Sequence, residues 1–138
     1  MKELLQAAIT AQAERHSDAV AVSLGKERLT YGELEAESNR LARLLRAGGV
    51  ARGDRVALLL PKSPAAVVAI LAVLKADAIY VPLDLSSPAS RVATMIAACG
   101  SRWILAGDAA TALLEELLRD PTFAASHAVS SGGQHAGP

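Results

Sequence analysis

The fold is decided by residues 74–84, which carry the sequence LKADAIYVPLD. The stretch follows an apolar helical pattern, and Lys75 places a cation where a helix C-terminus favours one. Residues 79–83 then have the apolar character of a short strand. Pro82 suits the end of a strand or an edge position, because proline has no N–H to donate to a ladder. Asp84 can close the following turn through its carboxylate. The stretch therefore predicts a helix, a strand and a turn in succession.

Outward from this stretch, strand and helix patterns alternate along the chain. Continuous apolar runs predict strands at 19–24, 56–60, 79–83 and 103–106. Helical periodicity predicts amphipathic or buried helices over 3–15 and 64–76, and further helices from Thr30, from Ser87-Pro88 and from Asp108. This alternation predicts an α/β fold with a largely parallel sheet flanked by helices.

The predicted helices carry recognisable start and stop signals. Thr30 and Glu33 have the spacing of a capping box. Ser63-Pro64 and Ser87-Pro88 each combine an N-cap residue with proline at the first helical position. Asp108 is a further candidate N-cap. The expected stop signals are the glycines Gly48-Gly49 and Gly100.

Composition limits the class of protein. A chain of 138 residues has the size of one ordinary domain, and 51% of its residues are hydrophobic. We expect residues 1–123 to form the folded segment, because residues 124–138 show no periodicity and predict a flexible low-complexity tail. Fourteen basic residues balance fourteen acidic ones without a basic cluster, which argues against nucleic-acid binding.

Hydropathy and cysteine content indicate the compartment. The longest apolar run, residues 65–74, is too short to span a bilayer, and the N-terminus lacks the apolar region of a signal peptide. We therefore expect no membrane partner. A single cysteine, Cys99, excludes an internal disulfide and fits a reducing cytoplasm.

Few residues are candidates for chemistry. Cys99 lies on an apolar helical stripe and is interpreted as a buried small hydrophobe; the alternative, a reactive thiol, would need a cationic neighbour such as Arg102. The three histidines, His16, His127 and His135, have no cysteine or carboxylate cluster beside them. No catalytic, cofactor-binding or metal-ligating residue is therefore assigned.

The ordered motifs resemble the amino-acid adenylation domains of nonribosomal peptide synthetases, members of the adenylate-forming (AMP-binding) enzyme superfamily. Residues 29–34, LTYGEL, followed by NRLA at 39–42, are similar to the first core motif of that family, and residues 74–84 are similar to a second. The resemblance runs from about Leu4 to Leu118. The motif residues, to which we assign structural roles, are Thr30, Tyr31, Glu33, Leu34, Lys75, Tyr80, Val81, Pro82, Asp84, Pro88 and Arg91.

Two positions depart from the family pattern. Asp77 stands where the family usually has glycine at a helix end, and a left-handed backbone there costs aspartate more than glycine. Leu85 replaces the common proline after Asp84, which should loosen that turn. Neither change abolishes the fold.

The resemblance implies a two-step activation: a carboxylate attacks the α-phosphate of ATP to give an acyl-adenylate, and a thiol then takes the acyl group. It implies ATP, magnesium, an amino acid and a phosphopantetheine carrier for a complete enzyme. The family's phosphate loop, ribose-binding acidic residue and lid lysine have no counterpart in residues 1–138, and Lys75 is not the lid lysine. Whether this chain is itself an enzyme therefore stays open.

Three hypotheses follow for the function. In the first, the chain is a portion of an adenylating enzyme, inactive alone, whose partners are the remainder of that domain and a carrier protein. In the second, it is a natural split or interaction subunit that completes a partner's sheet through an open strand edge and exposed apolar helix faces. In the third, it is a small independent nucleotide or acyl binder, supported only by helix N-termini.

Overall fold

A computed structural model describes residues 4–126 and 128–131 of the chain. These residues divide into two compact units. The first unit comprises the chain up to Arg52 together with Lys62–Asp77. The second comprises Gly53–Pro61 and the chain from Ala78 onward. Each unit is thus assembled from two separate segments of sequence.

In its described residues, the first unit consists of three helices and an antiparallel hairpin. Its elements are α1 (Leu5–Arg15), β1 (Val20–Leu24), β2 (Glu27–Thr30), α2 (Tyr31–Ala47) and α3 (Pro64–Lys75). Its core centres on Leu34 of α2 and on Val68 and Leu71 of α3, all of them buried. Half-buried apolar side chains from α1 and the hairpin pack around these three residues.

The second unit is built around a parallel sheet. Its elements are β3 (Arg55–Leu59), β4 (Ile79–Pro82), α4 (Ala89–Cys99), β5 (Trp103–Ala106), α5 (Thr111–Leu118), α6 (Pro121–Ser126) and β6 (Ala128–Ser131). The strands lie in the order β4-β3-β5-β6, and each neighbouring pair is parallel. Buried side chains of β3 and β5, such as Leu59 and Ile104, pack against Val92 and Ile96 of α4. The predicted α/β class with a parallel sheet is confirmed.

Helix boundaries confirm most of the predicted signals and correct two of them. The capping box at Thr30 and the Ser63 cap are both present, while Gly48 caps the end of α2. Helix α4 begins one residue later than predicted, because Pro88 has an extended backbone (ψ 149°) and is the N-cap instead of the first helical residue. The prediction of Asp108 as an N-cap was wrong.

The region around Asp108 forms a short 3-10 turn instead of a capped helix start. Residues Asp108–Ala110 make this turn, and α5 begins only at Thr111. The Thr111 hydroxyl donates a hydrogen bond of 2.8 Å to the Asp108 carbonyl oxygen. Asp108 therefore supplies its backbone oxygen rather than its carboxylate to the start of the helix.

Three elements were missing from the sequence-based prediction. Strand β2 pairs with β1 across the turn at Gly25, whose φ of 60° is one that glycine adopts readily. Helix α6 and strand β6 occupy part of the segment interpreted as a tail, so its described residues have regular structure. His127 and residues 132–138 lie outside the described residues. A division of the chain at Ala124 stays a prediction.

The end of α3 shows why glycine is common at position 77 in the family pattern. Asp77 follows the C-cap residue Ala76 and has a φ of 59°, in the left-handed region. An L-residue other than glycine, asparagine or aspartate pays about 1–2 kcal/mol in this region, and aspartate pays part of that cost. The departure noted in the sequence thus places an aspartate in a backbone conformation that glycine adopts at lower cost.

The substitution Asp77→Gly should raise the free energy of unfolding by about 0.5–1 kcal/mol, because glycine adopts a positive φ without a Cβ clash. Urea unfolding followed by circular dichroism measures the change. As the matched control, Asp77→Ala should lower stability, since alanine can neither avoid the clash nor form local hydrogen bonds. A glycine variant less stable than the parent would contradict the assignment of strain to this residue.

Candidate functional site

The first motif, around Thr30, forms the start of α2. The Thr30 hydroxyl oxygen accepts a hydrogen bond of 3.1 Å from the Glu33 backbone N–H, and a Glu33 carboxylate oxygen accepts one of 3.1 Å from the Thr30 N–H. Tyr31 is the first helical residue and is half-buried. Leu34 is 1% exposed and packs against α3. These motif side chains fix where α2 begins and attach it to its unit.

Gly32 has a packing role that the sequence did not indicate. A Cβ at this position would lie 2.6 Å from the Ser17 hydroxyl oxygen. The Gly32 N–H donates a hydrogen bond of 2.9 Å to the Ser17 carbonyl oxygen, so the two backbones approach closely. A Cβ at Gly32 would therefore displace the Ser17 hydroxyl and would lie 3.2 Å from the Ser17 carbonyl oxygen, which disfavours larger residues at the start of α2.

Lys75 is the centre of a polar cluster that joins three helices of the first unit. Its ammonium donates to a Glu35 carboxylate oxygen at 2.9 Å, to the Ser38 hydroxyl at 2.7 Å and to the Asn39 side-chain oxygen at 2.9 Å. From α1, the Thr10 hydroxyl lies 2.9 Å from Glu35 Oε1 and 3.1 Å from Oε2, and it donates to this carboxylate. We call these five residues, Thr10, Glu35, Ser38, Asn39 and Lys75, the Lys75 clasp.

Electrostatics within the clasp favours the ionised form of Glu35. Burial raises the pKa of Glu35, but hydrogen bonds from Lys75, Thr10 and Asn39, together with the charge of Lys75, outweigh it. The net effect holds the pKa of Glu35 below its ordinary value. The side chains are 11% exposed for Lys75 and 19% for Glu35, so the pair is largely shielded from water.

The clasp uses all the hydrogen-bonding capacity of the Lys75 ammonium. A lysine has three N–H donors, and the three acceptors Glu35, Ser38 and Asn39 account for them. A phosphate could be contacted only if one of these bonds were broken. The geometry therefore favours a structural role for Lys75. The clasp itself was not predicted, because its partners lie far from Lys75 in the sequence.

A cleft of about 670 Å³ opens beside the clasp, within the first unit. Its charged lining consists of Glu14, Arg43, Arg46 and Lys75. The Arg46 guanidinium donates to the backbone carbonyl oxygen of Lys75, which engages it in the end of α3. The cleft thus combines exposed arginine side chains with residues that already hold the helices together.

A magnesium nucleotide requires oxygen donors that converge on one point. In residues 4–126 and 128–131, no set of three His, Cys, Asp or Glu side chains lies close enough to hold a metal ion. The cleft contributes the single carboxylate of Glu14 from α1, and Glu35 is committed to Lys75. These donor sets do not fit magnesium or its ATP complex, so we derive no catalytic step through either.

The second motif continues into the second unit as β4 and a closed turn. Tyr80, Val81 and Pro82 belong to β4 at the edge of the sheet, and Tyr80 is 36% exposed. One Asp84 carboxylate oxygen accepts hydrogen bonds from the Ser86 N–H at 2.9 Å and from the Ser86 hydroxyl at 2.8 Å. Leu85 was expected to loosen this turn, but hydrogen bonds between the flanking residues Asp84 and Ser86 close it.

Hydrogen bonds and a nearby cation lower the pKa of Asp84. The Ser86 backbone N–H lowers the pKa of Asp84 most, followed by the Ser86 hydroxyl, and the charge of Arg91 lowers it further. Arg91 lies in the first turn of α4, after the N-cap residue Pro88. The charge of Arg91 therefore acts on the carboxylate that closes this turn.

The remaining candidate side chain is the thiol. Cys99 is half-buried at the end of α4, and its Sγ donates to the Ile96 carbonyl oxygen at 3.3 Å. The thiol hydrogen bond is therefore made within α4 itself. In the described part of the chain, no helix is both long and apolar enough to cross a membrane.

Comparison with known proteins gives a consistent result. Residues 9–134 match the model of the AMP-binding enzyme family. N-(5-amino-5-carboxypentanoyl)-L-cysteinyl-D-valine synthase of Amycolatopsis lactamdurans is 50% identical over 67% of this chain, and gramicidin S synthase 2 of Brevibacillus brevis is 41% identical over 75% of it. In each case the match spans only 2% of the relative's length.

A solved structure extends the match to nearly the whole chain. The nonribosomal peptide synthetase FmoA3, in its AMPPNP-bound form, superposes on 95% of this chain with a TM-score of 0.82 and 34% identity. The superposed part is 13% of that structure's chain. The homologues are adenylation domains of nonribosomal peptide synthetases, and this sequence corresponds to part of one. The chain belongs to the AMP-binding enzyme family.

Proposed function

We propose that the chain is a portion of an amino-acid-activating adenylation domain and is inactive alone. In the complete enzyme, a carboxylate oxygen of the amino acid would bond to the α-phosphorus of ATP as pyrophosphate leaves. The thiol of a phosphopantetheine carrier would then bond to the acyl carbon as AMP leaves. The remainder of the domain and the carrier protein are the proposed partners, and the proposed location is the cytoplasm.

One observation supports this proposal most directly: the motif side chains are engaged with the chain itself. Lys75 is saturated by its clasp, Asp84 is bound by Ser86, and Thr30 and Glu33 cap α2. Lys75 also lines the cleft of the first unit, but its three N–H donors are already bound to Glu35, Ser38 and Asn39. The role of this segment is thus to shape the body of the enzyme, while the reacting groups come from elsewhere in the domain.

ATP–pyrophosphate exchange tests the proposal. The chain, incubated with ATP, magnesium and each of the common amino acids, should give no exchange above the blank, whereas a complete adenylation domain gives a clear signal in the same assay. Amino-acid-dependent exchange by the chain alone would overturn the claim of inactivity. Calorimetry with ATP and AMP should show no binding heat, and measurable heat would favour the independent nucleotide binder.

The second hypothesis, an interaction subunit, is favoured by exposed apolar side chains of the second unit. Ile79 and Tyr80 on β4 are 49% and 36% exposed, and Met95 on α4 is 37% exposed. An adenylation domain lacking its own equivalent segment provides the test. If mixing it with this chain restores pyrophosphate exchange, the chain acts as a separable subunit; if exchange returns only when the two are covalently joined, it is a portion of one polypeptide.

A further inference from the structure

The outer edge of β4 is an open strand edge in the described part of the second unit. In the sheet order β4-β3-β5-β6, β4 has a neighbour on one side only. Open edges invite strand addition from a second chain, because their outward N–H and C=O groups lack partners. The apolar side chains of Ile79 and Tyr80 at this edge increase that tendency.

The ladder register shows which backbone groups face outward. The Ile79 N–H donates 2.8 Å to the Asp54 carbonyl oxygen, and the Leu83 N–H donates 3.0 Å to the Leu58 carbonyl oxygen. Both bonds point toward β3. Since successive residues of a strand direct their backbone groups to alternate sides, Tyr80 and Pro82 are the residues of β4 whose backbone faces the open side.

Proline at the second of these outward positions has a specific effect. Pro82 has no N–H to donate, and its ring occupies the space through which a partner strand would approach. Tyr80 is thus the residue of Ile79–Pro82 that offers an outward N–H. The edge can begin a pairing at Tyr80 but cannot extend it through Pro82.

We propose that Pro82 prevents the edge of β4 from pairing with a second copy of this chain. A second copy is the relevant partner because two identical edge strands can pair antiparallel about a two-fold axis, Tyr80 opposite Tyr80. In that register Pro82 of each copy lies opposite Ala78 of the other. Each Pro82 then cannot donate a hydrogen bond to the Ala78 opposite it, and its ring lies against the partner strand.

The substitution Pro82→Val tests this role, since valine restores the N–H and has high β propensity. Sedimentation velocity over a concentration series should show self-association at least about tenfold tighter than that of the parent, the effect of one or two added hydrogen bonds. Pro88→Ala is the matched control, because Pro88 is an exposed proline of the same unit outside the strands. It should leave self-association unchanged.

A second substitution distinguishes pairing along the β4 edge from nonspecific association. In the Pro82→Val background, Tyr80→Lys should return self-association to the parental level, because lysines directly opposite each other repel. If Pro82→Val folds, as judged by its circular dichroism, and associates no more than the parent, Pro82 does not prevent pairing of the β4 edge. A lysine without effect on an associated Pro82→Val variant would also count against this role of Pro82.

Hydrogen exchange in the unaltered protein tests the geometry even if the valine variant fails to fold. The Ile79 and Leu83 amides, bonded to β3, should exchange at least about tenfold more slowly than the outward Tyr80 amide once intrinsic rates are removed. A Tyr80 amide as protected as that of Ile79 would mean that the edge is already covered. That result would contradict the proposal, because Pro82 can prevent pairing only at an open edge.

Discussion

Replacing Leu34 by alanine should lower the free energy of unfolding by about 3 kcal/mol. Leu34 is 1% exposed and contributes to the core of the first unit with Val68 and Leu71. Truncation removes buried methyl groups and leaves a cavity that neighbouring helices fill only in part. Urea denaturation, followed by helical circular dichroism, gives the free energy from the midpoint and slope.

Leu44→Ala is the matched control for this substitution. Leu44 lies on the same helix and is 61% exposed, so the same chemical change there should stay within about 0.5 kcal/mol of the parent. Similar losses at the two positions would show that α2 does not pack through Leu34. A loss confined to Leu34 would establish that the family motif around it is a packing motif.

The elements that local chemistry determines were predictable from the sequence. The capping box at Thr30 was found as two residue types at a fixed spacing, and its hydrogen bonds involve only those two residues. The parallel sheet followed from apolar runs such as β3, whose last four residues are buried. The capping box is complete within residues 30–33, and the apolar run of β3 predicts a buried strand before its neighbours β4 and β5 are known.

Contacts between distant segments were not predictable in this way. Lys75 was interpreted only through the helix C-terminus on which it lies, whereas its partners Glu35, Ser38 and Asn39 are 36 to 40 positions away. Gly32 belongs to the motif at residues 29–34, but its close approach to Ser17 becomes visible only in the fold. Such roles depend on which helix faces meet, and a single sequence carries no direct signal for that.

The motif at residues 74–84 has a different function in each of its halves. Its first half ends α3 and supplies Lys75 to the clasp of the first unit. Its second half forms the edge strand β4 and the Asp84 turn of the second unit. These contacts agree with the structural roles that we assign to the motif residues, and such roles are compatible with a strong family match.

Replacing Lys75 by methionine should lower the free energy of unfolding by about 2–3 kcal/mol. The variant keeps an apolar stem but leaves the Glu35 carboxylate without its cation and the buried Ser38 hydroxyl without its donor. The cost is placed below that of breaking a fully buried pair, because the Glu35 side chain retains 19% exposure to water. Lys62→Met, at an exposed lysine of the same unit, should change stability by less than about 0.5 kcal/mol.

A double-mutant cycle and a titration identify the cause of this loss. Glu35→Gln combined with Lys75→Met should cost less than the two single changes together, because neither partner is then left as an unpaired charge. In Lys75→Met the pKa of Glu35, followed by NMR, should rise, since burial still raises it while the hydrogen bond and charge of Lys75 are gone. A lowered pKa of a folded carboxylate stabilises the protein above the unfolded pKa, and this contribution is lost as the pH falls through the folded pKa. The stability difference between parent and variant should therefore shrink on acidification through that range. A difference that does not change with pH, with an unaltered pKa of Glu35, would show that the clasp stabilises the unit only by packing.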